Sequence, residues 1–138
     1  MKTIGVVQVY NLLNSAKLTK MDDSDKFLVI KIMRVLKPIA TNYSDAVKDA
    51  QDKLKGSDFE EMQKKAQDFD KLSNEEKIAL NKYFEKYQND VEKCLKEEAE
   101  KENKLKVEKI KEDAFGKFIA SNDFTIEQIM KLQDILVV

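Results

Sequence analysis

A mainly α fold, an antiparallel hairpin of two long helices with short flanking helices and at most a minimal two-stranded β element, is what this sequence predicts. Three observations predict it. Between residues 24 and 115 there is one glycine, Gly56, and one proline, Pro38, so little interrupts a helical backbone. The same span is mostly Lys, Glu, Asp, Gln, Ala and Leu, which lose little on entering a helix. Within it, apolar residues recur at alternating three- and four-residue steps. No internal repeat and no low-complexity linker divides the chain, so residues 1–138 read as a single helical domain.

The elements follow in order. In residues 4–18, Val6, Val9, Tyr10, Leu13 and Ala16 fall on one face, so a short extended start at residues 2–4 should give way to a helix. Asp22, Asp23 and Ser24 then offer side-chain oxygens to the free N–H groups of a helix start. The first long helix is expected over residues 24–55, with Val29, Ile32, Leu36, Ile39, Tyr43, Ala46 and Ala50 as a heptad seam. Pro38 lies inside it and should kink the helix near Arg34 or split it. Gly56, Ser57 and Asp58 read as a C-cap followed by a new N-cap.

Phe59, Met62, Ala66, Phe69 and Leu72 make a second amphipathic stretch. A capping box from Ser73 to Glu76 introduces a third, with Leu80, Tyr83, Phe84, Tyr87, Val91, Cys94 and Leu95 inward. The two share a heptad phase, so one continuous helix competes with two, and the capping box favours the break. Leu105, Val107 and Ile110 alternate with charged residues and read as a short strand over 105–110, placed to meet residues 2–4 at one end of the hairpin. A helical turn over 113–120 follows. Thr125 and Gln128 form another capping box, opening a last helix that carries Ile129, Met130, Leu132, Ile135 and Leu136.

Composition narrows the chemistry. There is no histidine, which removes Ser-His and Cys-His pairs and imidazole metal ligands. The one cysteine, Cys94, can form no intramolecular disulfide and reads as a buried small apolar residue between Val91 and Leu95. Acidic groups at Asp22, Asp23 and Asp25, and at Asp68, Asp70 and Glu75, invite a cation. Leu72 and Ser73 stand where a calcium loop needs a ligand and its glycine, so helix-start charge is the better reading. No catalytic residue, metal, cofactor or small-molecule substrate is therefore expected.

The 25 cations and 26 acids nearly cancel, and only Arg34 is arginine. Few lysines are expected to share a face without an acid, so DNA binding should be weak, non-specific and lost at physiological salt. Tyr83, Phe84 and Tyr87 are spaced for packing rather than for base stacking. The N-terminal run lacks the pattern of a signal peptide, and no apolar stretch reaches the roughly 18–20 residues that span a bilayer. A soluble, intracellular protein is expected.

The order of elements, on residues 27–54, 83–110 and 124–136 with the Lys-Leu-Lys-Val-Glu-Lys-Ile-Lys segment at 104–111, resembles that of a group of small helical proteins encoded by tailed phages and prophages. The resemblance implies a phage origin and a helical hairpin. It carries no catalytic residue across. The function expected is that of a non-enzymatic structural or assembly protein of a phage, working by protein–protein contact or self-association in the bacterial cytoplasm or within the virion. A small phage-encoded binder that inhibits or regulates a host defence protein is the alternative, and a nucleic-acid-associated role is disfavoured. The candidate interface is the apolar C-terminus, Ile135, Leu136, Val137 and Val138, expected to be buried either against the hairpin or in a partner.

Overall fold

The computed structural model describes residues 1–138 and contains six α-helices and one 3-10 turn, with no β-sheet. The helices are α1 (Thr3–Asn14), α2 (Asp23–Leu54), α3 (Phe59–Gln67), α4 (Asn74–Glu100), α5 (Glu112–Ala120) and α6 (Ile126–Leu136), with the 3-10 turn (Phe69–Lys71) between α3 and α4. The chain forms two compact units. One joins Met1–Tyr43 to Ala99–Val138, and the other is Ser44–Glu98.

The first unit holds the main core. Val6, Val9 and Leu13 of α1 pack with Val29, Ile32 and Leu36 of α2, Phe115 and Phe118 of α5, and Leu132, Ile135 and Leu136 of α6. Burying such side chains is worth about 1.5–3 kcal/mol each before ordering costs. The α6 start is fixed by the expected box: the Gln128 N–H donates to Thr125 Oγ1 at 3.2 Å, and Gln128 Oε1 accepts from the Thr125 N–H at 3.0 Å. Asn122, just beyond α5, ties down the loop after α1. Its side chain accepts from the Lys17 N–H at 2.7 Å and donates to the Lys17 carbonyl at 2.8 Å and the Phe118 carbonyl at 2.9 Å.

The expected strand pair is absent. Thr3 is already helical, so residues 2–4 supply no strand, and only Lys2 is extended. The 105–110 segment forms neither helix, turn nor strand and is unpaired up to Ile110, because a period-two pattern sets side-chain direction and not the presence of a neighbour. Isolated bridges flank it: Lys2 with Glu102, antiparallel, and Ile110 with Val137, parallel.

In the second unit α2 and α4 pack through Ala46, Val47 and Ala50 against Tyr87, Val91 and Leu95. The Tyr87 hydroxyl donates to the Gln51 carbonyl at 2.9 Å and the Tyr83 hydroxyl to Asp58 Oδ1 at 3.1 Å, so the two chain directions oppose, as in a hairpin. Between 58 and 102 the helix breaks at Ser73, whose Oγ accepts from the Glu76 N–H at 3.2 Å. Pro38 does not split α2, which runs through it. Gly56 is not a left-handed C-cap, since no glycine has positive φ. The chain instead reverses by successive turns, the Lys55 N–H on the Gln51 carbonyl and the Phe59 N–H on the Gly56 carbonyl, both 3.2 Å. Asp58 precedes α3 without capping it, its carboxylate being engaged by Tyr83.

Candidate functional site: the outward face of α2

Within the first unit α2 buries Val29, Ile32, Leu36 and Ala40. A helix turns about 100° per residue, so Phe27, Ile30, Arg34 and Pro38, at steps of three and four, lie on the side opposite that line. Phe27 is 65% exposed, Ile30 39% and Val35 38%. Lys31, Arg34, Lys37 and Pro38 are exposed among them. Asp23 and Asp45 bound this stripe, and the helix has no acid between Asp25 and Asp45, so the middle of the face carries Lys31, Arg34 and Lys37 alone. The near-zero net charge hides this local separation of sign. Phenylalanine and arginine are among the residue types enriched at protein–protein interfaces.

A smaller exposed apolar pair lies on α6, Ile126 at 78% and Met130 at 62% exposed, one turn apart. Open clefts in the first unit bring no chemistry together. The cleft of about 330 Å3 beside α1 and α6 is lined by Gln8, Asn11, Leu12, Gln128 and Lys131.

The predicted interface residues divide. Ile135, Leu136 and Val137 are buried in the first unit's own core, and Val138 is 89% exposed. Cys94 is exposed, against expectation. The buried line of α4 steps by four from Val91 to Leu95, which leaves Cys94, one residue earlier, turned away. Phe59 contacts Phe84 edge-on with centroids 6.0 Å apart and Tyr87 at 5.0 Å, so the aromatic group packs on α3, half-buried. Partial desolvation, with the hydrogen bond to Asp58 and its charge, raises the Tyr83 phenol above its ordinary 10.0. Asp22, Asp23, Asp68, Asp70 and Glu75 are exposed, and no three acidic or thiol groups converge as a metal site.

The sequence reading missed the α2 face because it followed only apolar residues in phase with the seam. Phe27, Ile30 and Val35 fall out of that phase, and their presence was the available signal. No helix is long and apolar enough to cross a membrane. Comparison with protein-family models, with curated proteins and with solved structures gives no match.

Proposed function

We propose that this chain is a non-enzymatic protein that acts by protein–protein contact, as a structural or assembly component of a phage in the bacterial cytoplasm or the particle itself. The observation that carries the contact reading is the outward face of α2, where Phe27, Ile30 and Val35 stand in water beside Arg34. A large apolar group kept exposed gains nothing in the free protein and gains burial on docking. The phage assignment rests on the order of elements alone. Regulation of a host protein is the second reading, and the same face would serve it.

Mass spectrometry of purified particles tests the proposal. Stoichiometric copies in the particle support an assembly role, whereas complete absence favours the regulatory binder. A Phe27→Asp, Ile30→Asp double variant should melt like the parent, because both side chains are on the outer face, yet fail to enter particles. Normal incorporation of that variant would remove α2 from the interface.

A further inference from the structure

The segment between α4 and α5 has backbone that the fold does not use. At its start the Thr3 N–H donates to the Lys101 carbonyl at 2.9 Å and the Asn103 N–H to the Met1 carbonyl at 3.0 Å. At its end the Ile110 N–H donates to the Leu136 carbonyl at 2.7 Å, and the Ile110 carbonyl accepts from Val138 at 3.2 Å. Between these two anchored points, residues 104–109 make no backbone–backbone hydrogen bond. Both ends are pinned by isolated bridges, and the six residues between them form no helix, turn or bend, which leaves a run of backbone without a neighbour. We propose that residues 104–109 form an open β-edge that takes up an extended, acidic segment of a partner protein as an added strand.

Three observations select that occupant. The first is charge. Residues 104–111 carry Lys104, Lys106, Lys109 and Lys111 against Glu108 alone, and the first three lysines are exposed. Cross-strand neighbours of opposite sign stabilise a pair and like signs oppose it.

The second is the chemistry of the free backbone, which offers N–H donors and carbonyl acceptors in alternation. A polypeptide strand satisfies both at strand spacing, whereas a DNA backbone offers acceptors only. The third is a cleft of about 190 Å3 along the same segment, lined by Met1, Leu105, Val107 and Ile135 with Lys109 and Asp134 at its polar side. An added strand whose acidic residues alternate with aliphatic ones would direct acids to the lysines and an aliphatic side chain to this cleft. The surface is separate from the outward face of α2, and the inference does not depend on that face being an interface.

Lysines on a strand edge also serve to repel unwanted pairing, and the experiment separates this from recruitment. The probe is a capped, fluorescently labelled peptide of alternating Glu and Val, added to the full chain, with a Lys/Val peptide and an N-methylated Glu/Val peptide as controls. Anisotropy should show binding of the Glu/Val peptide alone, and hydrogen exchange should slow at every second amide of residues 104–109, those on the paired edge. Lys106→Pro removes one edge donor at an exposed position and should weaken binding by about tenfold. Lys106→Glu keeps the donor and should weaken the Glu/Val peptide similarly. Equal binding of the N-methylated peptide, unchanged exchange at 104–109, or no binding of any peptide overturns the inference. So does protection of these amides by a single-stranded oligonucleotide, or by raising the protein concentration with no peptide present.

Discussion

Asn122 is the side chain whose removal should be felt most for its size. It meets both polar atoms of the Lys17 peptide and the carbonyl of Phe118, joining the end of α1 to the end of α5 across 105 residues of sequence. Asn122→Ala is expected to destabilise the protein by about 1–3 kcal/mol, seen as a lower denaturant midpoint with an unchanged slope. No local pattern announces such a contact, because its partners are set by the tertiary fold. Cys94 was hidden for a different reason: steps of three and four are both helical, and only packing decides which is buried. Tyr83 gives a pH-dependent signature. The fold favours its neutral phenol, so this contribution is complete below about pH 10 and is lost as pH rises through the elevated folded value. Asp58→Asn removes the charge that opposes ionisation, so one tyrosine's share of the tyrosinate absorbance should appear at lower pH than in the parent. An unchanged titration curve would mean that the contact between Tyr83 and Asp58 does not persist in solution.

At the scale of elements, α2 is the helix most legible in the sequence and also the one carrying the clearest internal cost. Its seam residues Val29, Ile32 and Leu36 are buried as their spacing requires. Pro38 cannot donate to the Arg34 carbonyl, and proline inside a helix is less favourable than alanine by about 3 kcal/mol. Pro38→Ala should therefore raise the melting temperature, with a gain of up to about 3 kcal/mol; a lower one would show that the interruption is required by packing. The capping box at Thr125 and the cap at Ser73 were readable because their partners lie three residues apart. The Ser73 box is half formed, since the Glu76 carboxylate accepts from the Ser73 hydroxyl and not from its N–H. The strand pair was not, since the alternation of Leu105, Val107 and Ile110 is compatible with an extended segment that has no neighbour. The candidate site was half-legible: Arg34 stood out by its rarity, but its exposed apolar surroundings emerged only once the buried side of α2 was fixed.

For the whole molecule, the C-terminal residues act first as core of the unit formed by Met1–Tyr43 and Ala99–Val138. Leu136 is fully buried, and Leu136→Ala should cost about 2–5 kcal/mol. Val138→Ser, at an exposed position, should change stability by less than about 0.5 kcal/mol. Thermal melts of the two variants distinguish a tail used for packing from one free in solution, for which both would be silent. The discontinuity of this unit also has a consequence during synthesis. Val6, Val9 and Leu13 leave the ribosome early, while Phe118, Leu132 and Leu136, their neighbours in the core, are made last. At roughly 5–20 residues per second the nascent α1 waits on the order of 5–20 seconds for them. Residues 44–98 can pair locally in that interval, but the apolar side of α1 has only Val29, Ile32 and Leu36 of α2 to cover part of it. The order of translation thus makes the newly made N-terminus, rather than the finished surface, the natural place for a chaperone to bind.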